Sequence, residues 1–188
     1  MLLPQLFLAF GWLRAAVAHG TSGTWWSGEE ILTFVDRDTS AAIEIYEPFL
    51  ANVVRQLPAL TAVVVLALEL LVALMLGLNI KPLAAIAVGT FLNLQFMLAG
   101  VVNPSAFYLV IALVVVLWRM EGTVSLSTSR RLAKGVAIAA GITTLFMLPF
   151  VTTPTPARAI DDPAVVLIFL SLLFATATWW TSHRIAFD

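Results

Sequence analysis

Long apolar runs separated by short polar connections organise most of this chain. The first runs from Leu2 to Ala18, broken by Gln5 and Arg14, and the second from Leu57 to Leu78 with one charge, Glu69. A third, Leu83 to Val102, is interrupted by Asn93 and Gln95, and a fourth opens at Asn103-Pro104 and ends at Trp118-Arg119. Leu132 to Val151 and Ala164 to Thr181 complete the set. Apolar stretches of about 17 residues or more can cross a bilayer core roughly 30 Å thick. The pattern therefore predicts an all-α polytopic membrane helical bundle of six transmembrane helices. Connections as short as Asn79-Ile80-Lys81-Pro82 make neighbouring helices antiparallel hairpins.

Two segments depart from this pattern. Ala16-Val17-Ala18 before His19 looks like a signal-peptidase site, but no basic stretch precedes it and Arg14 stands beside the cut, so it reads as a spanning helix. Residues 20–56 are polar and form the first external loop. There Ser27-Gly28-Glu29-Glu30 fits a capping box, with Ser27 as N-cap and Glu30 at N3. Pro48 suits the first turn of a second short helix. Ile31–Val35 and Phe49–Val54 are expected to be interfacial helices lying on the membrane surface. Trp25 and Trp26 would anchor at the headgroups on that side, and Trp118, Trp179 and Trp180 on the other. From Met120 to Arg131 the chain is polar with a basic end, read as a loop. In the fifth run Gly135/Ala139 and Ala137/Gly141 are small residues four apart, which let helices approach closely.

Composition agrees with a membrane setting: 61% of residues are hydrophobic and 11% charged, where a soluble domain carries roughly 25% charged residues. A net charge of −1 excludes nucleic acid as a partner, because phosphate binding needs clustered Lys and Arg. The chain has no cysteine, so it has no thiol chemistry of its own. Its histidines, His19 and His183, form no ligand-spaced pair, and no metal site is expected.

Charge asymmetry sets the expected orientation. With the N-terminus inside, the cytoplasmic side holds Lys81, Arg119, Arg130, Arg131, Lys134 and Arg184, against Arg37, Arg55 and Arg158 outside. That six-to-three bias obeys the positive-inside rule and places both termini in the cytoplasm. The external side also collects the acids Glu29, Glu30, Asp36, Asp38, Glu44, Glu47, Asp161 and Asp162.

The polar residues inside the runs carry the candidate chemistry. Burying Arg or Glu in hydrocarbon costs at least about 2.5–3.5 kcal/mol on insertion scales, so such groups face the bundle interior and find partners. At roughly 1.5 Å per residue, Arg14 lies about 18 Å up the first helix and Glu69 about 13 Å up the second. Asn93 and Gln95 lie about 16 and 20 Å up the third. One reading is an Arg14–Glu69 ion pair, completed by Asn93, that fixes helix packing. The other is the floor of an outward-opening cavity for a small polar molecule or a quinone head group, with His19 at its mouth. Both stay open on the sequence.

Gly11-Trp12-Leu13-Arg14, Tyr46-Glu47-Pro48-Phe49-Leu50, Glu69-Leu70, Leu76-Gly77-Leu78, Asn93, Ala99-Gly100 and Asn103-Pro104 together resemble the DoxX/DoxD family of small membrane proteins. The resemblance covers residues 5–119. It implies a DoxX-like four-helix core over 1–119, including the external segment 20–56, with 120–188 adding the basic loop and two further helices. Arg14 and Glu69 map onto the family's recurring arginine and glutamate, while Lys81 stands where relatives often carry Thr-Arg. Relatives include the membrane subunit of thiosulfate:quinone oxidoreductase.

The leading expectation is accordingly a membrane subunit of a quinone-linked oxidoreductase in a bacterial or archaeal inner membrane. It would act on a sulfur compound such as thiosulfate, with a partner subunit. No group would be covalently bound, and a quinone is the ligand implied. Arg14, Glu69, Asn93, Gln95 and His19 are the candidate quinone- or substrate-binding residues; no catalytic residue is assigned. A non-catalytic anchor in a larger complex is the alternative, and a small-solute transporter a second, weakened by the lack of repeated halves. The lipid bilayer is one partner, another protein subunit is expected, and oligomerisation stays open.

Overall fold

Prolines set where three of the long helices begin, since a proline in the first turn leaves unmade only hydrogen bonds that are absent there anyway. The structure, a computed structural model, describes residues 3–38, 42–123, 125–152, 155 and 159–184. The described residues are helical with no strand. In chain order they form α1 (Leu3–Thr21), α2 (Gly23–Ser27), α3 (Glu29–Asp38) and α4 (Glu47–Phe49), which continues as a π-helical turn over Leu50–Val54. The long helices α5 (Pro58–Gly77), α6 (Pro82–Leu98), α7 (Val102–Thr123), α8 (Leu126–Met147) and α9 (Pro163–Arg184) follow.

Four segments, Pro58–Gly77, Val102–Met120, Ser127–Phe150 and Pro163–His183, are long and apolar enough to cross a membrane. Helix α6 is shorter at 17 residues, and the apolar run of α1 is broken by Gln5, Arg14 and His19. Large apolar side chains such as Leu74, Val114, Leu145 and Phe169 stand exposed on the outside, a surface compatible with a lipid bilayer.

Helix α1 packs on α5 and α7, α5 on α6, and α6 on α7, so these four close into a ring. Leu8, Trp12, Val72, Leu76, Leu92 and Val115 fill its centre. Helix α9 packs on α7 and on α8, with Met97, Leu109, Met147, Leu167 and Leu170 in a second core.

At the end where α1 starts, a polar clasp replaces the apolar core. Gln5 is fully buried. Its Nε2 donates to the Leu76 carbonyl at 2.9 Å and to Asn79 Oδ1 at 3.1 Å. Arg119 Nη2 donates to Gln5 Oε1 at 3.0 Å and to Asn79 Oδ1 at 2.6 Å. Three elements, α1, the α5–α6 turn and α7, are thereby tied together. The turn is tight because Asn79 and Lys81 take left-handed backbone angles, φ 56° and 44°. Asparagine tolerates that region; lysine does so only under strain.

At the opposite end Asp162 caps α9. Its Oδ1 accepts from the Ala164 and Val165 amides at 2.9 and 3.3 Å, and its Oδ2 from the amide and hydroxyl of Thr152 at 2.8 and 3.0 Å. One buried carboxylate thus starts the last helix and holds the beginning of the connection that leads to it; such a cap contributes about 1 kcal/mol.

Several expectations change. The stretch Met120–Arg131 is mostly helix, since α7 runs to Thr123 and α8 starts at Leu126 with Ser125 as its N-cap. Ser27 ends α2 and Gly28 follows at φ 81°, so Ser27 stands one position before the N-cap of α3, where its Oγ accepts from the Glu29 amide at 3.4 Å. A Cβ at Gly28 would fall 2.5 Å from the Ala59 nitrogen, so the start of α5 leaves room only for glycine. The capping serine is Ser22, whose Oγ accepts from the Trp25 amide at 3.3 Å and donates to Glu30 Oε2 at 3.0 Å. Gly135 and Gly141 are exposed and a Cβ at either would meet open space, because α8 buries Ser129, Ala133 and Ala140 where it packs on α9. Trp26, Trp118, Trp179 and Trp180 are exposed, whereas Trp25 is buried and is no surface anchor. Helix α3 and the 50–54 turn bury Ile31, Val35, Leu50 and Val54 against Trp25, Ala62, Val65 and Ala99, so they cap the bundle. Arg158 lies outside the described residues.

Candidate functional site

Beneath that cap the four-helix ring encloses a cavity of about 420 Å³. Gly11, Trp12, Ala15 and His19 of α1, Glu69 of α5, Asn93, Gln95 and Phe96 of α6, and Ser105 and Tyr108 of α7 form its floor and walls. Trp25, Ile31, Phe34, Val35, Tyr46, Leu50 and Val54 close it from the capped end. The π-helical turn has a visible use here: Leu50 and Val54 both line the roof, and the Arg55 amide reaches back to the Leu50 carbonyl at 2.9 Å. Such turns often occur at functional sites.

One polar pair dominates the interior. Glu69 is 2% exposed, and its Oε2 lies 2.8 Å from His19 Nδ1, whose side chain is 23% exposed. An ionised carboxylate only accepts, so with Glu69 charged Nδ1 carries the proton and donates it. Trp25 stacks on the His19 ring at 3.6 Å and an interplanar angle of 10°. Trp25 is itself held, because its Nε1 donates to the Ala62 carbonyl at 3.0 Å. The imidazole is thereby fixed in position by a carboxylate on one edge and an indole on one face.

A second pair joins the cap to the ring. The Tyr46 hydroxyl donates to Gln95 Oε1 at 2.6 Å. Burial pushes the Tyr46 phenol up to about 12 from its ordinary 10. Because the folded value lies above the unfolded one, this phenol supports the fold fully below pH 10 and loses that contribution as pH rises towards 12. The chain has two tyrosines, so phenolate absorbance resolves the step. Tyr46→Phe is expected to remove a transition near pH 12 and to loosen the cap, read as faster amide exchange over 44–54. A Tyr46 transition near pH 10 would contradict the burial.

Nearby, Asn93 is buried, and its Nδ2 donates to the Gly89 carbonyl of its own helix at 3.0 Å. Gly11 permits the close approach of α7, since a Cβ there would collide with the Tyr108 ring. Trp12 meets the same ring edge-on, with centroids 5.6 Å apart. Outside the cavity, Arg55 Nη1 donates to Glu47 Oε1 at 2.8 Å, and that hydrogen bond holds the guanidinium above its ordinary value.

Four of the five residues singled out from the sequence, His19, Glu69, Asn93 and Gln95, line one cavity. Arg14 does not. It is exposed on the face of α1 that also carries Phe7, Phe10 and Val17, and it forms no ion pair with Glu69. Helical geometry explains the exchange: Arg14 and His19 are five residues apart, about 140° around the helix. His19 follows Trp12 by seven residues and shares its inward face, whereas Arg14 follows Phe7 by seven and shares its outward one. Trp12, Trp25, Tyr46, Ser105 and Tyr108 were not singled out as site residues. For Trp12 the spacing to His19 was a usable signal; for Tyr46 no local pattern reveals a contact 49 positions away.

Among the described residues no three His, Asp or Glu side chains converge as a metal site requires. No family model, curated protein or solved structure matches this chain, and the chemistry of the cavity is read from its own residues.

Proposed function

We propose that this chain is a six-span membrane subunit of the DoxX/DoxD kind, with both termini cytoplasmic, whose cavity holds the head group of a quinone. It serves a quinone-linked oxidoreductase of a prokaryotic cytoplasmic membrane. The observation that carries the reading is the composition of the 420 Å³ cavity: apolar and aromatic walls with a few polar groups brought together inside. Small-molecule sites typically measure about 300–1,000 Å³ and have that make-up. A quinone head is a flat, uncharged ring bearing two carbonyls. Trp12, Trp25, Phe96 and Tyr108 offer aromatic surface to such a ring; the Ser105 hydroxyl and Asn93 Nδ2 are donors for its carbonyl oxygens, and His19 Nε2, with Nδ1 donated to Glu69, accepts from a hydroxyl of the reduced head. When bound, a quinone supplies two-electron, two-proton redox chemistry.

The chain's own part is to bind and orient that head and to hold a proton at His19 Nδ1 against Glu69. With no cysteine, it has no thiol with which to take electrons from thiosulfate or another sulfur compound, so a partner subunit delivers them. The alternative role as an anchor within a larger complex needs no ligand in the cavity.

Binding separates the two. Full-length protein in lipid nanodiscs is titrated with decyl-ubiquinone while the fluorescence of Trp12 and Trp25, both in the cavity wall, is followed. Saturable quenching is expected, with affinity falling about tenfold in Glu69→Gln, equivalent to about 1.4 kcal/mol. An absence of saturable quenching removes the quinone and leaves the anchor. If the complex isolated with its partner fails to reduce decyl-ubiquinone with thiosulfate, that electron donor is wrong.

A further inference from the structure

The cavity wall has an opening whose position says how a ligand arrives. Among its lining residues only Glu30 and Pro104 are exposed. Glu30 stands at the start of α3, and Pro104 in the first turn of α7. Along α7 the exposed side chains after Pro104 are Phe107, Val110, Val114 and Trp118, at helical spacing, which marks the outward apolar stripe of that helix. Pro104 is the capped-end member of this stripe. At Pro104 the rim of the cavity therefore meets the outward apolar stripe of α7, and at Glu30 it meets a charged side chain.

Helices α1 and α7 both line the cavity at this level. Lower down they are locked together: Phe7 meets Phe107 edge-on at 5.8 Å, Trp12 meets Tyr108, and Gly11 lies against the Tyr108 ring. One turn and more above Gly11, Ala15 and His19 on α1, like Ser105 and Pro104 on α7, line the cavity. Among the described residues, the main packing of α3 is on α2, α5 and the 50–54 turn, on the far side of the cavity from Pro104.

We infer that the cavity is loaded sideways from the membrane, through a mouth between α1 and α7 beneath α3. Its ligand is a long-chain amphiphile whose head enters past Pro104 while its tail stays in the lipid against Phe107. This rests on the quinone reading for the head group, but the route is independent of it. A ligand arriving from water would instead enter past the exposed Glu30 carboxylate.

Route and ligand are tested separately in the full chain in nanodiscs. The chain has no cysteine, so Ala15→Cys gives a single spin-labelled site in the cavity wall. Oxygen, which partitions into lipid, is expected to relax the label at least threefold more effectively than a water-soluble nickel chelate; the opposite order overturns the lateral mouth. The second arm compares decyl-ubiquinone with its tailless benzoquinone head. Pro104→Trp is expected to weaken the tailed probe at least tenfold and the tailless one less than twofold. Val114→Trp, two to three turns further along the same stripe, should alter neither. Equal effects of Pro104→Trp on both probes, or none on either, overturn the assignment of Pro104 as the lip. If wild-type protein binds neither probe while the Ala15→Cys label shows lipid access, the quinone fails and the lateral route stands.

Discussion

Replacing His19 by alanine is expected to destabilise the folded protein by about 3–5 kcal/mol, the cost of leaving a buried charge without its partner. Glu69 is 2% exposed, and the hydrogen bond from His19 Nδ1 at 2.8 Å is the contact that compensates its burial. Adding Glu69→Leu to His19→Ala is expected to recover most of the stability, because an apolar side chain of similar size needs no partner. The measurement is a double-mutant cycle by denaturant unfolding in mixed micelles. If His19→Ala costs less than about 1 kcal/mol, the pair does not sustain the core.

The second large expectation concerns Arg14, and it runs the other way. Arg14→Leu should leave stability unchanged or raise it, while His19→Ala lowers it. On α1 the arginine shares its outward face with Phe7, Phe10 and Val17, so leucine continues an apolar stripe. An arginine among exposed apolar side chains gains no burial there, and were α1 to cross a membrane its charge would cost about 2.5–3.5 kcal/mol on insertion scales, reduced when the long side chain reaches towards the headgroups. The same unfolding assay decides it. A loss of 3 kcal/mol or more in Arg14→Leu would mean that this guanidinium, not the imidazole, balances Glu69.

These two substitutions exchange the roles that depth alone assigns. Rise per residue places Arg14 and Glu69 near one level, but it carries no information about azimuth. A pair forms only between side chains that point at each other, and α1 turns His19, together with Trp12, towards α5. The pair inside the cavity therefore joins Glu69 to an imidazole, whose second ring nitrogen is left for another partner, instead of to a guanidinium cation.

Much of the architecture is legible in the residues. Apolar runs, the prolines at 58, 82 and 163 and the tight turn at 79–82 mark the long helices, because helix length and chain direction are local properties. Gln95, Asn93 and Glu69 could be read as interior groups, since polar atoms in an apolar run need shelter from lipid. The short helices near Ile31–Val35 and Phe49–Val54 were likewise visible as amphipathic pieces. Only the tertiary structure decided that their inward faces roof a cavity. An amphipathic face specifies burial against something apolar, and lipid and protein meet that demand equally well. The same limit applied to Gln5 and Arg119, whose clasp joins positions 114 residues apart, and to Tyr46 with Gln95. Sequence by itself determined a helical membrane bundle with polar groups at its centre. Packing chose which of those groups meet, because rotation about each helix axis is settled by neighbours that lie far away in the chain.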